Sequence, residues 1–155
     1  MAVELGYVDS QTIQPGAGAI LQTIRGCNKC PKNVIHEDLS PNTTLRGIVR
    51  NNCCNAMAQY EVSFSGNISL PEGGTAGEIQ MAISVNGYVR PLTIAAAYPA
   101  AEGQFWHVSG DTTIDVPAGC CTDVAVVNAT VAATPTDTPQ AIVSRNLNVK
   151  IRRAA

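Results

Sequence analysis

The residues with the most chemistry in this chain are its six cysteines, which fall into three close pairs: Cys27/Cys30, Cys53/Cys54 and Cys120/Cys121. A Cys-x-x-Cys spacing lets two thiolates face one ion from a tight knuckle, so Cys27 and Cys30 suit half of a zinc site. The vicinal Cys53 and Cys54 suit the other half badly, which leaves zinc at Cys27, Cys30, Cys53 and Cys54 as the weaker reading. A redox motif would need a strand-to-helix junction to activate its first thiol, and Pro31 followed by polar, loop-like sequence offers no helix. Disulfides within or between chains, formed after the protein leaves a reducing compartment, are the stronger reading for all six. Idle or buried thiols are the remaining alternative.

Other catalytic groups are sparse. A Ser-His-Asp arrangement needs a base, and the two histidines are His36 and His107. His107 falls inside an expected strand, where a surface or hydrogen-bonded role is the ordinary one. His36 begins a His36-Glu37-Asp38 run, but consecutive side chains splay to different sides and do not converge on a cation. Asp111 and Asp115 read as turn residues flanking a short strand. Neither Gly16-Ala17-Gly18 nor Gly73-Gly74 opens a helix that could hold phosphate. The sequence therefore predicts no catalytic residues, no cofactor and no enzyme. Tyr98, Phe105 and Trp106 lie close together and suit either packing or a sugar-binding platform.

The elements that would position these residues are strands. No window carries apolar residues at helical spacing, whereas alternation recurs throughout. From Tyr60 to Leu70, Val62, Phe64, Ile68 and Leu70 alternate with Ser63, Ser65, Asn67 and Ser69, giving an apolar face and a small-hydroxyl face. Ile79 to Val85 leads through Asn86-Gly87, a two-residue hairpin turn, into a strand from Tyr88 to Ile94. Further strands are expected at Ala19 to Ile24, Leu45 to Val49, Gln104 to Val108 and Thr112 to Val116. The stretch from Cys27 to Pro41 reads as a long loop. Thr122 to Val131 has Val124 and Val126 on one face and Val127 and Val131 on the other, which predicts a strand covered on both sides. In the last strand Val143, Leu147, Val149 and Ile151 are expected to face inward and Ser144, Asn146 and Asn148 outward. About eight to ten short strands separated by Gly, Pro and Asn turns predict an all-β, antiparallel jelly-roll sandwich.

The chain of 155 residues suits one compact domain. Within it, residues 1–55 hold the first strands and the cysteine-rich loop, and residues 56–155 the jelly-roll body. Charged residues make up only 14%, against about 25% in an ordinary soluble domain, so the surface is largely neutral. With 10 basic and 12 acidic side chains, no basic field exists to hold nucleic acid. Glu4 and Asp9 interrupt what a secretory leader would require, and no run reaches membrane-spanning length. Synthesis in a cytoplasm, no membrane partner and unused Asn-x-Ser/Thr sequons are the corresponding expectations.

The run NISLPEGGTAGEIQMAISVNGYVRP, with Tyr98-Pro99-Ala100-Ala101, FWHVSGDTTIDVPAGCC and VAVVNAT, resembles the small tumour-necrosis-factor-like jelly-roll domains at the ends of bacterial exosporium collagen-like proteins. It looks still more like their relatives encoded by phages and prophages, whose beginnings MAVELGYVDSQTIQPG also resembles. The likeness spans roughly Tyr60 to Ile151. It implies a homotrimer on the virion surface, decorating or cementing the capsid or forming a head fibre, with the major capsid protein as partner, and residues 1–55 with their cysteine-rich loop are then the expected capsid-attachment part. The alternatives are a host-receptor or glycan-binding fibre tip, which Tyr88, Tyr98 or Trp106 would have to serve, and a spore-surface protein. The lack of a collagen-like Gly-X-Y stem in the sequence speaks against the last. A neutral surface with a strand apolar on both faces independently suits self-association. Val124, Val126, Val127 and Val131, with Ala95-Ala96-Ala97, are the expected trimer contacts, because small and β-branched residues let neighbouring sheets approach.

Overall fold

The structure, a computed structural model, describes residues 2–25, 33–49, 56–132 and 138–154. Twelve strands run in chain order: β1 (Ala2–Tyr7), β2 (Gln11–Ile13), β3 (Gln22–Arg25), β4 (Val34–His36), β5 (Thr43–Arg46), β6 (Met57–Ser69), β7 (Ile79–Val85), β8 (Tyr88–Val89), β9 (Ala95–Ala97), β10 (Trp106–Pro117), β11 (Cys121–Asn128) and β12 (Ile142–Arg153). They form two antiparallel sheets. The first is ordered β10-β6-β12-β1-β3, with β2 also on β12, and the second β4-β5-β11-β7-β8, with β9 also on β7. The expected all-β jelly roll is therefore the observed architecture.

Residues before Arg46 supply five strands to both sheets, so the N-terminal part is woven into the sandwich. β1 pairs with β12 from Ala2↔Arg152 to Tyr7↔Leu147. The alternation of Val3, Leu5 and Tyr7 with Glu4 and Gly6 makes it a strand, one beyond those expected. β4 lies within the stretch expected to be loop, because Val34 and His36 are both buried and pair with β5.

Three local departures have identifiable causes. The strand expected from Tyr88 to Ile94 stops at Val89, since Pro91 has no N–H to donate and instead starts a 3₁₀ turn over Pro91–Thr93. Thr93 Oγ1 takes over the ladder there, accepting from Ile83 N at 2.9 Å and donating to Arg90 O at 2.7 Å. The two strands expected across 104–116 are one, β10, paired along its whole length with β6. Gly110 permits this: a Cβ there would lie 2.7 Å from Thr93 O and 2.8 Å from the Phe64 ring. In β12 the register shifts between Arg145 and Asn148, with Asn146 at a φ of 54°. This bulge changes the phase of alternation, so Ile142 and Ser144 face inward before it and Leu147, Val149 and Ile151 after it. The inward place expected for Val143 and the outward one for Ser144 are thereby reversed. The Asn86-Gly87 hairpin is as expected, with φ of 51° and 84°.

The core fills the space between the sheets with aliphatic side chains: Leu5, Val62, Phe64 and Ile151 from one, Leu45, Ile79, Met81, Ile83 and Val126 from the other. Tyr60 is the largest fully buried side chain. Its hydroxyl donates toward the carbonyl oxygens of Arg46, at 2.6 Å, and Asn33, at 3.2 Å, so it ties β6 of one sheet to the β4–β5 region of the other. Burial raises the Tyr60 pKa above 10.0, opposed by the Arg153 guanidinium. The stability that depends on the neutral phenol is thus complete below about pH 10 and is lost as pH rises through the raised folded-state value. Tyr60→Phe, which takes the hydroxyl donor from Arg46 O and leaves Asn33 O only its bond from Arg46 N, should cost about 1–3 kcal/mol in urea unfolding at neutral pH and should flatten the alkaline loss of stability.

Candidate functional site

The broadest built surface is the outward face of the first sheet. Strands β10, β6, β12 and β1 turn Ser109, Ser65, Asn148 and Gly6 outward across its middle, in the registers Ser109↔Ser65, Asn148↔Ser65 and Gly6↔Asn148. Ser63, Ser65 and Asn67 are half-buried although no element covers them, because the side chains are short and the pleat shields them. Charge collects toward one end. Arg152 forms an ion pair and hydrogen bonds with Glu61 through Nε and Nη2, and Asn148 Nδ2 donates to Glu4 Oε1 at 2.7 Å. Arg25, Lys150, Glu4 and Glu61 line a shallow groove of about 380 Å³ there. Ser63, Ser65 and Asn67 of the expected outward small-hydroxyl face lie on this surface, whereas Ser69 at the end of β6 is fully buried, and β10 adds His107, Asp111 and Asp115. Asp111 and Asp115 thus sit inside a strand, not in turns.

The residues expected to make trimer contacts divide. Val124 and Val126 belong to the core between the sheets and cannot touch a neighbouring copy, a correction that follows from their inward position on β11. Val127 and Ala125 point outward and are little exposed. Residues 16–19 pair edge-on with this strand, Gly18 bridging Val127 and Ala19 N donating to Val126 O at 2.7 Å, and Ala125 and Val127 line a groove with Gly18 and Pro41 on this outward face. Val131 lies past the end of β11 and is exposed. Of the three alanines, Ala97 is buried and Ala96 exposed.

His36 is buried, with Nδ1 2.9 Å from Thr43 Oγ1 and Nε2 2.9 Å from Leu21 O. It joins β4 and β5 to the segment leading into β3, a structural role that sequence spacing does not reveal. Cys120 and Cys121 are free, exposed thiols at the turn between β10 and β11. Cys120 N donates to Pro117 O, Gly119 N to Gly47 O and Gly47 N to Cys120 O, which holds the turn backbone firmly. Cys27, Cys30, Cys53 and Cys54 lie outside the described residues. The first described residues after those two segments are bonded at this same end: Asn33 O accepts from Arg46 N and Ala56 O from Ala118 N. Among the described residues no group of three or more His, Cys, Asp or Glu could hold a metal ion, and no helix is long and apolar enough to cross a membrane.

Comparison with known proteins places the architecture. No family model matches the chain, and no curated protein sequence does. Among solved structures, the globular domain of a zebrafish complement 1qA protein superposes with a TM-score of 0.59 at 8% identity, covering 97% of this chain and 94% of that one. Murine APRIL aligns at 0.49 and 9% identity over 98% and 99% of the two chains. The C-terminal domain of EclA, described as a sugar-binding protein, aligns at 0.43 and 15% identity over 92% and 77%. The fold is a jelly roll like that of the complement 1qA globular domain, and an identity this low carries fold alone.

Because both thiols at the β10–β11 turn are exposed, iodoacetamide should label Cys120 and Cys121 in the native protein, before any denaturant is added. Peptide mapping checks this, and protection of either one in the reduced chain would place it inside a contact.

Proposed function

We propose that this chain is a non-enzymatic structural protein of a phage virion, a homotrimer on the outside of the capsid that decorates or cements the shell or forms a head fibre. The observation that carries the reading is the outward face of the first sheet: four long paired strands presenting short, polar, half-buried side chains, with no catalytic constellation among the described residues. Such a face lets the sheet of another copy approach closely, and its mixed charges at one end, Arg25 and Lys150 beside Glu4 and Glu61, suit a self-complementary contact. The phage setting is supported by the sequence resemblance over Tyr60 to Ile151, and the major capsid protein is the partner it implies. Self-association of a jelly roll through such a face fits a role in building a surface.

Native mass spectrometry of the purified chain should give a trimer at micromolar concentration, and a strictly monomeric product would overturn the proposal. Ser65→Arg, which places a long charged side chain at the centre of the face, should shift the trimer to monomer while the variant keeps a cooperative unfolding transition. Co-sedimentation with particles assembled from the phage's major capsid protein tests the partner.

A further inference from the structure

The seven aromatic side chains of the sequence differ in what their rings touch. Tyr60 is buried, and the Phe105 face is occupied by the Arg145 guanidinium 3.8 Å from the ring centroid. Tyr88 stands alone on the β7–β8 hairpin. Tyr98 and Trp106 are different: their centroids are 6.1 Å apart at an interplanar angle of 69°, with Tyr98 56% and Trp106 43% exposed.

We infer that Tyr98 and Trp106 form a binding corner for a neutral, gluco-configured pyranose of an oligosaccharide. In an edge-to-face pair, one ring offers its edge to the other and keeps its own faces for other contacts. Two rings near a right angle can therefore receive the flat C–H face of a sugar on one and its rim against the other. A pyranose with equatorial hydroxyls has such a face, and its hydroxyls lie around the rim where polar groups are needed. The loop between the two rings carries the exposed polar residues Glu102 and Gln104, and Gln104 Oε1 accepts from Ala100 N at 3.0 Å, which braces the loop. Size decides against a protein as occupant. The pair leaves on the order of 200 Å² of aromatic surface in solvent, where a stable protein interface buries about 800 Å² per partner. Both rings also stand on fixed ground, because Trp106 opens β10 opposite Ile68 of β6 and Tyr98 directly follows β9.

This inference does not rest on the display reading: a trimer can lack sugar affinity, and a monomer can possess it. Trp106 is the chain's one tryptophan, so its fluorescence reports the corner directly. Titration of the full chain with cellotetraose and with the tetramer of N-acetylglucosamine should give a saturable change in that emission, with protection from acrylamide quenching. Tyr98→Ala, at an exposed position, should weaken the midpoint by about tenfold while thermal unfolding stays near that of the parent. Trp106→Phe, followed by saturation-transfer NMR, should retain weakened binding. Emission unmoved by both sugars to tens of millimolar would overturn the inference, as would binding that Tyr98→Ala leaves unchanged.

Discussion

Everything in this molecule depends on the register of β6 between β10 and β12. A strand with one face apolar and one polar cannot slip by a single residue without sending its whole core set into water. β6 is held against such a slip on both sides over nearly its full length, and Tyr60 adds a cross-link to the other sheet. With that register set, Ser63, Ser65 and Asn67 must face outward, and the polar face of the first sheet follows from the same alternation that builds the core. Fold and surface are two readings of one pattern.

The two sheets handle their outward faces differently. The first leaves a wide field of short polar side chains open, with charges gathered toward one end. The second has its central strand extended sideways by residues 16–19, which pair with β11 beyond β5, and its outward face carries a groove lined by Ser84, Ala125 and Val127.

Much of this was legible in the sequence, and the parts that were not have physical reasons. β6, β7 and their neighbours could be read because half-buried strands alternate strictly. Val124 and Val126 were legible as one apolar face of a strand, but sequence cannot say whether that face meets another subunit or, as here, the opposing sheet. The β12 bulge was invisible because a one-residue insertion leaves composition untouched while reversing which side chains point inward. Pro91 stands inside the strand expected from Tyr88 to Ile94, and the Thr93 hydroxyl that bridges the gap it leaves is a tertiary contact. His36 looked like a possible ligand beside two acids, and only folding brings Thr43 and Leu21 to its two nitrogens. The aromatic corner was visible as three nearby residues, but not which ring would be covered by Arg145.

The pairing of Ala2 with Arg152 has a mechanical consequence. The two ends of the described chain lie side by side on adjacent antiparallel strands, so a pull that enters by one and leaves by the other acts across the ladder and opens it rung by rung, as a zipper opens. The same strands loaded along their length would have to break many hydrogen bonds at once. A tether at a single end, with the load carried by the sheet face, therefore leaves the sandwich far harder to unravel than a tether at both.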